Sequence, residues 1–127
     1  MNIADQIRYM MIFVGVSGCF SVLFSAWLAH GGQALPLEAQ GRLDTAVTFQ
    51  LIHTLALLAS LVWARQQASK ILMLACLCFI LGILCFSGSL YAKTFFDFIL
   101  IGKLAPFGGI LLALAWLLLA FAGKSKL

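Results

Sequence analysis

Four long apolar runs, separated by short polar links, constrain the fold of this chain more than any other feature. The runs predict helices at approximately 9–30, 43–64, 70–91 and 105–122. Each run has about 20 residues, the length that an α-helix needs to cross the hydrocarbon core of a membrane. Only 9% of the residues are charged, against about 25% in soluble domains. We therefore expect an all-α transmembrane four-helix bundle in which consecutive helices are antiparallel neighbours.

The length of 127 residues allows one domain, so residues 1–127 are interpreted as a single transmembrane domain. Between the third and fourth runs, residues 93–104 are apolar but include Lys93, Asp97 and Lys103. That composition is typical of a segment that lies in the membrane interface. The same residues could instead lengthen the third or the fourth helix, because length alone does not decide between the two interpretations.

The basic residues predict how the chain is oriented. An even number of spans places both termini on one side of the membrane, together with Arg8, Arg65, Lys70, Lys124 and Lys126. The other side has Arg42, Lys93 and Lys103. Since basic residues collect on the cytoplasmic side, both termini are predicted to be cytoplasmic. The basic residues are scattered between apolar runs, so the expected partner is the lipid bilayer and no nucleic-acid site is predicted.

Three polar residues, Gln50, His53 and Thr54, interrupt the uncharged second run. Their spacing of i, i+3 and i+4 places them on one face of a helix. A polar side chain in hydrocarbon needs partners, so this face should point into the bundle. The same end of the bundle has further polar or flexible residues on the other helices, namely His30, Ser87, Gly88, Ser89, Tyr91, Pro106, Gly108 and Gly109. We predict a polar cluster drawn from all four helices, in the outer leaflet.

Three interpretations of this cluster are open. In the first, hydrogen bonds between the polar side chains fix the packing of the helices. In the second, the cluster around Gln50 and His53 encloses a ligand or a proton. The third is metal or haem binding by His30 and His53. These histidines differ in depth by more than about two helical turns and have no intramembrane carboxylate beside them, which argues against a shared metal site. Separate ligation by each histidine, and haem or quinone binding, stay open, but no metal site or cofactor is predicted.

Two small-residue stripes indicate close packing between helices. The first contains Gly15, Gly18, Ser21, Ser25 and Ala29, and the second contains Ala75, Cys78, Gly82, Cys85 and Ser89. For catalysis, the sequence has no paired carboxylates, no phosphate-binding loop and no serine–histidine signature. No catalytic residue is predicted, and we expect the protein not to be an enzyme.

The leading functional hypothesis is a non-enzymatic accessory or assembly subunit, which forms a homo-oligomer or binds another membrane protein. It rests on the two small-residue stripes and on the lack of a catalytic set. The alternative is a small transporter or ligand-binding membrane protein that uses the polar cluster around Gln50 and His53. The sequence does not name a substrate for either.

Several of these residues occur in four short motifs. In chain order they are Ala29-His30-Gly31, Phe49-Gln50-x-x-His53, Phe86-Ser87-Gly88-Ser89-Leu90-Tyr91 and Pro106-x-Gly108-Gly109. This arrangement resembles the YgdD-like family of small membrane proteins, a domain family of unknown function. The resemblance covers nearly the whole chain, from the first helix to the fourth. It implies a multi-pass, four-helix protein of the cell inner membrane, without an established activity.

Overall fold

The computed structural model describes residues 1–97 and 101–126, and it consists of four α-helices joined by short links. In chain order these are α1 (Ile3–His30), α2 (Leu37–Gln66), α3 (Lys70–Phe96) and α4 (Leu104–Lys126). Short 3₁₀ turns, Gly31–Ala34 and Ile101–Lys103, follow α1 and precede α4. All four helices are long and apolar enough to cross a membrane. The predicted all-α transmembrane bundle is confirmed.

Each helix packs mainly against its neighbours in sequence, so α2 and α3 form the centre of the bundle. About half of the apolar part of α2 and of α3 is buried, whereas α1 and α4 bury much less of theirs. The core at this centre includes the fully buried side chains Leu57, Leu61, Cys76 and Phe79. Polar residues on α2 and α3 are therefore the ones that the bundle can enclose on most sides.

Small residues hold α3 and α4 close to each other. A Cβ atom on Gly82 would lie 2.5 Å from the Leu112 side chain on α4. A Cβ atom on Gly108 would collide with the α3 backbone at Cys85 and Phe86. Because neither position has room for a larger residue, the stripe on the third helix is a packing seam, as predicted.

The stripe on α1 does not act as a seam between the described helices. Among the described residues, no atom outside the adjoining backbone of α1 lies within 4 Å of the place that a Cβ would take on Gly15 or Gly18. Ser25 and Ala29 are exposed, and Ser21 is the buried member of this stripe. The prediction was wrong here because four of the five stripe residues make no close packing contact with α2 or α3 in the described structure.

Four helix ends lie well beyond the predicted ones, since polar or charged residues extend the helices past their apolar runs. α1 begins at Ile3 rather than near Tyr9, and α4 continues to Lys126 rather than ending near Ala122. α2 begins at Leu37 rather than near Leu43, and Pro36 occupies its N-cap position. α3 continues to Phe96, so Lys93 and the next three residues lengthen the third helix. This agrees with the second interpretation of the segment 93–104 and not with an interfacial segment that starts at Lys93.

The end of α3 is marked by Asp97, which has a left-handed backbone conformation with φ of 55°. Aspartate is among the few non-glycine residues that adopt this conformation readily. The rest of the segment 93–104 has a 3₁₀ turn at Ile101–Lys103, and residues 98–100 lie outside the described residues.

Candidate functional site

Gln50 lies in the middle of a chain of hydrogen bonds that joins α1, α2 and α3. The Tyr91 hydroxyl on α3 donates to Gln50 Oε1 over 2.6 Å. Gln50 Nε2 donates to Ser17 Oγ on α1 over 2.9 Å, and Ser17 Oγ lies 2.8 Å from Thr54 Oγ1. We call Ser17, Gln50, Thr54 and Tyr91 the Gln50 network. A single amide side chain thus links three helices.

The chemistry of these side chains fixes the direction of most of the bonds in the Gln50 network. The amide oxygen of Gln50 only accepts hydrogen bonds, and its nitrogen only donates them. The Ser17 hydroxyl accepts from Gln50 and keeps its own hydrogen to share with Thr54. Within the described part of the chain, every fully buried side-chain nitrogen or oxygen has a partner. All four side chains of the network are therefore engaged with one another.

Two serines close to the network bond to backbone carbonyls. Ser87 on α3 donates to the carbonyl oxygen of Ala46 on α2 over 2.7 Å. Ser89 donates to the carbonyl oxygen of Phe86, three residues earlier in α3, over 2.9 Å. Ser87 therefore ties α3 to α2, whereas Ser89 stabilises only its own helix.

His53 is separate from the Gln50 network and faces α3 and α4. Its ring centre is 5.6 Å from that of Phe49, 6.1 Å from that of Phe79 and 5.9 Å from that of Trp116. His53 Nδ1 lies 2.7 Å from the carbonyl oxygen of Phe49. Because a carbonyl oxygen only accepts, Nδ1 carries the hydrogen and Nε2 of the neutral ring is an acceptor. This Nε2 has no hydrogen-bond partner among the residues that the structure describes. Since every fully buried side-chain nitrogen there is paired, Nε2 belongs to the 7% of the His53 surface that is exposed.

Trp116 on α4 places a second polar group beside His53. The two rings meet edge to face, with 67° between their planes, and 46% of the Trp116 surface is exposed. The indole N–H has no acceptor in residues 1–97 or 101–126. Both residues lie near the middle of their helices. We call this pair and its exposed surroundings the His53–Trp116 face, where a ring with an unpaired acceptor and a ring with an unpaired donor have their centres 5.9 Å apart.

The other predicted site residues join neither region. His30 is exposed at the end of α1, and Pro106 is exposed in the first turn of α4. Gly108 packs on the α3 backbone, whereas Gly109 lies beside the ring of Phe86. Across the described residues, no group of three or more His, Cys, Asp or Glu side chains is arranged to hold a metal ion. The structure therefore divides the predicted cluster into two regions and leaves these residues outside both.

A small cavity of about 280 Å³ opens between α1 and α3, beside the Gln50 network. Ser17, Gln50 and Tyr91 contribute to its wall, which is otherwise mainly apolar. Gly88 leaves part of it open, since no atom of the described residues outside the adjoining backbone of α3 lies within 4 Å of the place that its Cβ would take. The polar atoms of the network that border this cavity are already bonded to one another.

Ser17 is the functional candidate that sequence reasoning missed. It precedes Ser21 by four residues, and Ser25 follows after another four, so the three serines share a face of α1. That spacing was the available signal for a polar contact between the first and second helices. Of these three serines, Ser17 is the one that bonds to α2 in the described structure, whereas Ser21 donates to the carbonyl oxygen of Ser17.

Comparison with known proteins identifies relatives over most of the chain. Residues 24–109 match the model of DUF423, a family described as a protein of unknown function. A UPF0382 membrane protein of Haemophilus influenzae is 37% identical over 118 residues, which are 91% of this chain and 94% of the relative. The UPF0382 inner membrane protein YgdD of Escherichia coli K12 is 30% identical over 88% of this chain and 86% of its own length. No solved structure matches the chain.

The family match includes Gln50, His53 and Tyr91 and ends before Trp116. The curated relatives carry a membrane location in their names and no activity. The predicted resemblance to the YgdD-like family is thereby confirmed. Together with the four apolar helices, these relatives show that the chain belongs to the DUF423 family and is a multi-pass membrane protein of unknown biochemical activity.

Proposed function

We propose that the protein is a non-enzymatic assembly subunit of the inner membrane, which binds a second membrane-spanning chain through its His53–Trp116 face. In this proposal both termini are cytoplasmic, because five of the eight basic residues lie at the end of the bundle that carries the termini. The observation that carries the proposal is the unpaired Nε2 of His53 beside the unpaired N–H of Trp116.

An unpaired polar group is unfavourable at this depth of a membrane. Lipid chains offer neither a donor nor an acceptor, so a free Nε2 and a free N–H both lack any partner there. A facing helix that supplies one donor and one acceptor satisfies both groups at once. Hydrogen bonds between membrane helices contribute about 0.6 kcal/mol on average and at most about 1.7 kcal/mol. This gain would add to the packing of apolar side chains.

The surroundings of Trp116 also favour the approach of another helix. Ala113 and Ala120, at i−3 and i+4 from Trp116, are both exposed on α4. Small residues at such spacings let two helix backbones come close in a membrane. Leu117 and Phe121, which are 59% and 60% exposed, add large apolar surface beside them. The face thus combines room for the backbone of a partner helix with polar groups that lack a hydrogen-bond partner.

Ligand binding at the Gln50 network has less support. Each side chain of the network is bonded to another member, and the cavity beside it is mainly apolar. Removing a ligand from such a site would leave no polar atom without a partner. We therefore assign the Gln50 network to helix packing and the His53–Trp116 face to association.

The composition of the purified complex tests the proposal. Tagged protein, produced at its native level and extracted in mild detergent, should carry a second chain in stoichiometric amount, detectable by native mass spectrometry. Trp116→Phe removes the N–H but keeps an aromatic ring, and it should weaken association by about threefold to fifteenfold. The matched control is Trp27→Phe, because Trp27 has a similar exposure of 41% at the far end of α1. That control should leave association unchanged.

Two outcomes would count against the proposal. A protein that is monomeric both in mild detergent and in lipid nanodiscs, without a second chain, would overturn it. Equal weakening by Trp27→Phe would assign the effect to exposed tryptophans in general. In that case the His53–Trp116 face would have no particular role.

A further inference from the structure

The end of the bundle that carries both termini has a cleft that neither the Gln50 network nor the His53–Trp116 face uses. It has a volume of about 820 Å³ and lies between the first turns of α1 and the last turn of α2. This volume is within the range of small-molecule sites in proteins. Ile7 and Met11 contribute apolar surface, and Arg8 and Arg65 contribute positive charge. The cleft thus combines an apolar wall with two guanidinium groups.

Both arginines of this cleft are available for an anion. Over the described residues, the ion pair that does form joins Arg42 to Glu38 at the opposite end of the bundle. Asp5 is three residues from Arg8, but the two side chains are not within salt-bridge distance. Arg8 and Arg65 are also exposed. No carboxylate of the described chain therefore competes with an external anion for them.

The charges of the chain are divided unequally between the two ends of the bundle. The terminal end has five basic residues, and Asp5 is its only acidic residue. The opposite end has three of each kind, namely Arg42, Lys93 and Lys103 with Glu38, Asp44 and Asp97. The whole net charge of +4 thus belongs to the end with the cleft. A membrane protein with such an end attracts anionic headgroups to it.

We propose that this cleft binds an anionic phospholipid, with Arg8 and Arg65 on the phosphate and an acyl chain along Met11 and Ile12, which also line the cleft. Guanidinium groups suit phosphate because they can donate two parallel hydrogen bonds. The order of groups also matches, since Met11 lies almost one turn deeper along α1 than Arg8. A free phosphate ion would leave the apolar wall of the cleft unused. This inference is independent of the proposed assembly function.

Lipid retention tests this site. The protein is reconstituted into nanodiscs of phosphatidylglycerol and phosphatidylcholine, extracted in mild detergent, and its bound lipids are counted by native mass spectrometry. Wild-type protein should retain phosphatidylglycerol in preference to phosphatidylcholine. Arg8→Gln and Arg65→Gln should each lower that preference about fivefold, and the double variant about 25-fold. The matched control Lys93→Gln removes one exposed positive charge at the opposite end and should change nothing.

A second variant separates the lipid from a free anion. Met11→Gln makes the wall of the cleft polar at constant charge, and it should lower the retention of phosphatidylglycerol as well. Inorganic phosphate, added at the same molar concentration as the lipid, should not displace it.

Three results would overturn the proposal: an unchanged preference in the double arginine variant, an equal loss in Lys93→Gln, or displacement of the lipid by inorganic phosphate. Thermal unfolding of each variant in phosphatidylcholine nanodiscs checks that it is folded. If the double variant does not fold, the two single arginine variants and Met11→Gln test the lipid proposal.

Discussion

Gln50 and His53 lie less than one helical turn apart on α2, yet their polar groups have very different surroundings. Gln50 is bonded on both sides of its amide, to α1 and to α3. His53 bonds to its own helix through Nδ1, and its Nε2 has no partner among the described residues. Both belong to the same uncharged apolar run. The difference shows that the helix facing a polar side chain determines whether its hydrogen-bonding groups are paired, even when two such residues lie close together in the sequence.

The geometry of a helix explains why the side chains of Gln50 and His53 point in different directions. Positions three apart differ by about 60° around the axis, whereas positions four apart differ by about 40°. Gln50 and Thr54 therefore both point to Ser17 on α1. His53 is turned towards α4, where it meets the ring of Trp116. In a bundle whose central helix has a different neighbour on each side, that small rotation is enough to separate them.

Gln50→Leu should have the largest effect on folding. It removes the bonds to Tyr91 and Ser17 and leaves both hydroxyls without their amide partner, so we expect the free energy of unfolding to fall by about 2 kcal/mol. Reversible unfolding in bicelles measures this change. The matched control is His53→Leu on the same helix. A loss in the control as large as that of Gln50→Leu would contradict the distinction between the two regions.

Tyr91→Phe should have an intermediate effect, because it removes one hydroxyl and keeps the ring. We expect a loss of about 1 kcal/mol in the free energy of unfolding. In the Gln50→Leu background the same change should cost less, since the two residues share a bond. A double-mutant cycle measures this coupling, and strictly additive losses would show that the network does not act as a unit.

His53→Leu should have the smallest effect on the unfolding of the monomer, about 0.5 kcal/mol or less. The substitution removes an acceptor that has no partner in the described chain and one bond within α2, from Nδ1 to the carbonyl oxygen of Phe49, and it places an apolar side chain there. In contrast, it should weaken association as Trp116→Phe does. Native mass spectrometry and unfolding in bicelles give the two readouts. A large loss of stability without a change in association would assign His53 to the core of the monomer.

The sequence was sufficient to predict the helices, because four apolar runs of membrane-spanning length allow few other folds. It did not predict the start of α2, since its first turns are polar and carry no apolar pattern; Pro36 and Glu38 precede the apolar run. The extension of α3 to Phe96 was one of two interpretations that composition alone could not separate.

The polar residues themselves were visible in the sequence, but their division into two regions was not. The rotation of each helix about its axis depends on packing, such as the contact of Gly108 with the α3 backbone. No local pattern encodes that rotation. Ser17 was overlooked although it shares a face with Ser21 and Ser25, because their spacing does not show which serine the opposing helix places beside Gln50.

Because each helix packs mainly on its neighbours in sequence, the contacts between helices can form in the order in which the helices enter the membrane. Once α1 and α2 are both in the bilayer, Ser17 can bond to Gln50 before the rest of the chain is synthesised. The bond to Gln50 Oε1 forms only once Tyr91, which lies near the end of α3, is in place. The arrival of that hydroxyl closes the three-helix unit. α4 follows as the last span, and it docks on a seam that α3 already presents.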